Sequence, residues 1–96
     1  MNNQKKALKK ATITPGQLFV ANSHGEPSLW EVTARVKTEQ ENRVWTRCII
    51  GYQQERQYTG PQFGFLIRKG IVKLIKRNEE KLIRELYENR AAGYYR

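Results

Sequence analysis

A mainly β domain with some helix (α+β) is the fold this chain predicts: a small half-open barrel of about five short strands, followed by a C-terminal α-helix. Three observations carry that expectation. Two runs of alternating apolar residues meet at a loop near residue 40, the pattern of a half-buried β-hairpin. Turn-forming clusters at Thr14-Pro15-Gly16, Asn22-Ser23-His24-Gly25-Glu26-Pro27-Ser28, Gly60-Pro61 and Gly70 cut the chain into pieces of strand length. Beyond residue 78 the period changes, and Leu82, Ile83, Leu86 and Tyr87 fall on one helical stripe.

Residues 2–11 hold only Leu8 as an apolar anchor among Lys5, Lys6, Lys9 and Lys10, so residues 1–13 are expected to form a flexible basic tail. A short strand follows at residues 17–21, and the turn formers of residues 22–28 read as a loop. The hairpin runs over residues 29–52. Pairing Lys37 with Arg43 across residues 38–42 places Trp30, Val32, Ala34 and Val36 on one face with Val44, Thr46, Cys48 and Ile50, which is a core face. The opposite face then sets Lys37 against Arg43, Arg35 against Trp45, Thr33 against Arg47 and Glu31 against Ile49.

Residues 53–57 are polar, and residues 63–67 read as a fourth short strand in which Gly64 marks a bulge or a close backbone approach. Residues 71–76 fit a strand, with Val72 and Leu74 inward, but also the start of one long helix through Leu82 and Leu86; the strand is preferred. The reason is Asn78, a good N-cap side chain, followed by Glu79 and Glu80, whose charges suit a helix N-terminus. Organisation follows as a tail (1–13), a barrel (14–77), an amphipathic helix packed on the barrel or in a dimer (78–92) and a short tail (93–96). The succession of Gly16, Trp30-Glu31-Val32 and Val72-Lys73-Leu74 is similar in architecture to SH3-like barrels over residues 15–77. Such barrels host many unrelated functions, so this likeness implies a fold and no role.

Charge narrows the class of function. The 96 residues carry 18 Lys+Arg against 9 acidic side chains, a net charge of +9 that attracts phosphate, acidic protein or anionic lipid. Two segments hold most of the excess: the N-terminal lysines, and residues 59–77 with Arg68, Lys69, Lys73, Lys76 and Arg77 and no acid. A basic tail beside a basic folded element suits a chain that finds a phosphate backbone and settles on it. The hairpin's outer face adds Arg35, Lys37, Arg43 and Arg47 around Trp45, an arrangement of stacking surface and guanidinium forks that suits bases and phosphates. A competing assignment covers Trp45 and Ile49 with the stripe Leu82, Ile83, Leu86 and Tyr87, leaving Arg35, Lys37 and Arg43 at the solvated end. The C-terminal helix is a poor reader of a major groove, because Glu79, Glu80, Glu85 and Glu88 offset Lys81, Arg84 and Arg90.

Catalysis lacks parts. With one His, one Cys, no Asp and no glycine-rich phosphate loop, neither a metal site, a triad nor a nucleotide pocket assembles, and no cofactor is expected. A metal-independent ribonuclease using His24 or Glu55 with Arg35 or Arg47 is set aside in favour of a non-enzymatic role. The expectation is a nucleic-acid-binding protein, for DNA or RNA, whose site residues are Arg35, Lys37, Arg43, Trp45, Arg47, Arg68, Lys69, Lys73, Lys76, Arg77, Lys5, Lys6, Lys9 and Lys10. The alternative is a protein-interaction module for an acidic partner, with a homodimer through the helix stripe as a further option. Apolar runs of at most four residues argue against a membrane span, and a lone Cys48 on a core face, with no apolar leader, points to the cytoplasm.

Overall fold

The computed structural model describes residues 13–23, 26–51 and 54–94. Five strands, β1 (Leu18–Ser23), β2 (Glu26–Lys37), β3 (Asn42–Ile50), β4 (Glu55–Thr59) and β5 (Val72–Leu74), form one antiparallel sheet in the order β4-β3-β2-β1-β5. Helix α1 (Gly60–Arg68) connects β4 to β5, and a 3₁₀ turn (Arg77–Glu79) leads into helix α2 (Glu80–Tyr94). The fold is mainly β, as the turn spacing implies. It is not closed: β4 and β5 are the two edges, so an open sheet stands where the SH3-like half-open barrel was expected.

The segment expected to be the fourth strand is helix α1, and the polar stretch before it supplies β4 instead. The reason is local. Thr59 and Gln62 form a capping box, the Thr59 hydroxyl accepting from the Gln62 amide at 3.1 Å and the Gln62 side chain accepting from the Thr59 amide at 3.0 Å. Pro61 in the first turn costs no hydrogen bond there. At the other end the Gly70 amide donates to the Ile67 carbonyl and the Ile71 amide to the Leu66 carbonyl, a Schellman closure that needs the left-handed backbone of Gly70, φ +78. Phe63, Leu66 and Ile67, at helical spacing, then face the sheet.

Both faces of the sheet are covered. On the α1 side, Phe19, Ala21, Trp30, Val32, Val44, Cys48, Phe63 and Val72 make the larger core, with Ile13, Tyr58, Leu66, Ile67 and Leu74 packed against it. Phe19 stacks on Trp30 at 6.1 Å and meets Phe63 edge-on at 5.2 Å, geometries that aromatic pairs favour. The other core joins Leu18, Leu29 and Ile75 to Val20, Ile49, Ile50, Ile83 and Tyr87, which brings α2 onto the opposite face. Period-two alternation explains the division: Phe19 and Ala21 point to one side of β1, Leu18 and Val20 to the other. Buried Thr46 is satisfied by donating to the Arg56 carbonyl at 3.0 Å, and the Trp30 indole donates to Ser28 at 2.7 Å.

The hairpin departs from the expected register. Lys37 pairs with Asn42, Val36 with Arg43, Arg35 with Val44 and Ala34 with Trp45; below a bulge at Thr33, Val32 pairs with Thr46, Glu31 with Arg47 and Trp30 with Cys48. A second irregularity near Ile49 lets Leu29 pair with Ile50. The loop is thus one residue shorter than expected. Thr38 closes it, its amide donating to the Glu41 carbonyl at 2.6 Å and its hydroxyl accepting from the amides of Gln40 and Glu41. Trp30, Val32, Val44, Thr46 and Cys48 share the expected core face, while Ala34, Val36 and Ile50 do not.

Residues 71–76 hold strand β5, as preferred over a long helix. Helix α2 begins differently from expectation: Lys76, with extended backbone and no side-chain cap, precedes the 3₁₀ turn, so Asn78 lies inside the first turn and not at the cap. Glu79 and Glu80 still sit where the helix dipole favours carboxylates. The helical backbone runs on to Tyr94, past the end expected at residue 92.

Candidate functional site

Register decides what the hairpin can offer. Because Thr33 is the extra residue of a bulge, Arg35 pairs with buried Val44 and lies on the α1 side of the sheet, away from Trp45. Its Nη1 donates to Asn42 Oδ1 at 2.7 Å, to the Val36 carbonyl at 2.9 Å and to the Arg43 carbonyl at 3.0 Å, which makes it a clamp on the hairpin tip. Asn42 in turn fills the space a side chain on Gly60 would need, so the clamp abuts the start of α1. Lys37 follows Arg35 in parity and is exposed.

The other side keeps Arg43, Trp45 and Arg47 in one row along β3, Trp45 half-buried between Ala34 and Gln57. Both arginines have acidic partners. Arg47 binds Glu31 at 2.9 Å, and Arg43 lies 3.5 Å from Glu41. The expected single cationic face of Arg35, Lys37, Arg43 and Arg47 is therefore divided by the bulge and partly neutralised. Ile83 and Tyr87 of α2 pack, as Ile49 does, against the Leu18, Leu29 and Ile75 core, while Leu82 and Leu86 of the same expected stripe are 60% and 54% exposed.

The second basic element stays exposed along the β5 edge. Arg68 and Lys69 end α1, Gly70 reverses the chain, Lys73 stands on β5, and Lys76 and Arg77 follow it. All five are exposed, and among the described residues none of them is in an ion pair. They border a free sheet edge, where lysines also deter pairing with another strand. Lysine and arginine tips on such a rim remain available to an anion, since no carboxylate among the described residues pairs with them.

Around this rim the structure adds features that strand assignment of residues 63–67 hid. Phe65 lies on α1 opposite its core side and is 48% exposed, with Lys69 Nζ 5.5 Å from its ring centre. A helical reading of Phe63, Leu66 and Ile67 would have turned Phe65 outward from sequence alone. A cleft of about 260 Å³, lined by Thr14, Pro15, Gly16, Gln17, Ile75, Arg77 and Glu80, opens near the end of the rim. Arg56, on the α1 side of β4, places its guanidinium 5.7 Å from the buried Trp30 ring.

Cys48 is buried, and that burial pushes its thiol above its ordinary pKa, which marks it as a packing residue. Among the described residues no three His, Cys, Asp or Glu side chains come together to hold a metal ion, and no helix is long and apolar enough to cross a membrane. Lys5, Lys6, Lys9, Lys10 and His24 lie outside the described residues. The chain matches no protein-family model, no curated protein and no solved structure.

Proposed function

We propose that this protein binds nucleic acid without catalysis, holding phosphates on the rim Arg68, Lys69, Lys73, Lys76 and Arg77 with help from Lys5, Lys6, Lys9 and Lys10. The supporting observation is the contrast in pairing: the hairpin arginines Arg43 and Arg47 face carboxylates, whereas the five rim cations are exposed and unpaired among the described residues. Phosphate contacts carry little sequence information, so binding is weakly selective and strongly dependent on salt. A reducing, cytoplasmic setting fits the single buried Cys48.

The experiment is fluorescence anisotropy with labelled random duplex, single-stranded DNA and single-stranded RNA at low salt. Binding that weakens steeply with added salt is the expected result. No binding to any of the three overturns the assignment. A second reading, a protein-interaction module for an acidic partner or a homodimer through α2, draws support from exposed Leu82 and Leu86. Loss of partner binding on replacing both leucines by Ser, with nucleic-acid binding absent, would favour it.

A further inference from the structure

We infer that Phe65 is a stacking platform for an unpaired base, and that the nucleic acid this protein prefers is single-stranded. The inference rests on the nucleic-acid reading above and names the substrate class of the same rim. On α1 the core side is Phe63, Leu66 and Ile67; at 100° per residue Phe65 falls on the opposite side, flanked by Arg68 on one hand and Lys69 on the other. Both cations fold back along the helix. Lys69 Nζ lies over the Phe65 ring, 5.5 Å from its centre, and Arg68 Nη1 lies 3.4 Å from where a Cβ on Gly64 would stand.

Phe65 is 48% exposed, and α1 already has its buried anchor in Phe63. The same residue, with Lys69 over its ring and Arg68 on the neighbouring helix position, offers what a single strand needs: an exposed apolar surface for a base and cations nearby for the adjoining phosphates. A duplex has no free base face to give, because each base is already covered by its neighbours. Phe65 carries no hydrogen-bonding group, so stacking there is tolerant of sequence and of sugar type.

The test compares the intact protein with Phe65→Ala and Phe65→Trp on labelled twelve-nucleotide dT, the matching U-only RNA and a duplex of equal length. Phe65→Ala is expected to weaken both single strands roughly 5- to 100-fold, with duplex affinity changed by less than about twofold, since phosphate contacts there are untouched. Phe65→Trp is expected to retain binding, with emission quenched by dT more strongly than in the unmodified protein. Thermal unfolding of both variants close to that of the unmodified protein, as surface changes allow, shows that the effect is not misfolding. Equal loss on single strands and duplex, or no loss on either, overturns the inference while leaving nucleic-acid binding in place. Absence of binding by the unmodified protein removes both, and binding of polyglutamate in its place assigns the rim to an acidic polypeptide.

Discussion

Replacing Lys73, Lys76 and Arg77 together by Ala gives the most direct measure of the rim. All three side chains are exposed and unpaired among the described residues, so each is free to neutralise one phosphate. Counterion release then sets the magnitude: about 0.7 per phosphate on a single strand, so the slope of log K against log salt should flatten by about 2. Between 50 and 200 mM salt this difference shrinks the loss of affinity by roughly 20-fold, whatever the N-terminal lysines add. Stability should move by less than about 1.5 kcal/mol, at most about 0.5 for each surface change, because the three changes leave both cores intact. Anisotropy titrations at four or five salt concentrations read the slope, and urea denaturation reads the stability. A slope identical to that of the unmodified protein would refute the reasoning, since the phosphates would then be held elsewhere.

Arg35→Ala is expected to behave in the opposite way: removing the donor to Asn42, Val36 and Arg43 should cost about 2 kcal/mol in urea denaturation and leave the salt slope unchanged. Thr59→Ala removes the capping box of α1 and should cost about 1 kcal/mol by the same measurement, with Gln62→Ala costing less. For Cys48, burial raises the folded-state pKa above its ordinary value of 9.0, so the fold favours the neutral thiol. Stability from this group is complete below that value and falls as pH rises from 9.0 towards the folded pKa. Cys48→Ala should therefore show a shallower decline above pH 9.0 than the unmodified protein in parallel denaturation series.

Much of the fold was legible where local chemistry and packing agree. The alternation of Trp30, Val32, Val44, Thr46 and Cys48 identifies a core face because each must be buried at period two. Strand β5 and the acidic start of α2 were legible for similar reasons. Bulges were not, since an extra residue leaves no mark when Thr33 is flanked by Val32 and Ala34, either of which suits an inner or an outer face. Helix α1 was misread although its signals were present: Thr59 and Gln62 stand at capping-box spacing, and Gly70 is a proper C-terminal stop. The apolar cluster Phe63, Phe65, Leu66 and Ile67 fits a strand as well as a helix by hydrophobicity, and length alone does not separate them. The site was legible in part for the same reason. Arg68, Lys69, Lys73, Lys76 and Arg77 remain exposed in either geometry, whereas the fate of Arg35 depends on the register.

The Thr33 bulge makes the surface of the hairpin tip a matter of register. Above it, Arg35 and Lys37 look to one side of the ribbon and Ala34 and Val36 to the other. Deleting this single residue would leave the tip as it is, with Ala34 still opposite Trp45 and Arg35 opposite Val44, whereas pairing Thr33 regularly with Trp45 would turn the tip over and bring both cations to the side of Trp45. A slip of one position that absorbs the bulge thus acts here as a charge inverter, moving two basic groups between opposite sides of the sheet with the sequence unchanged.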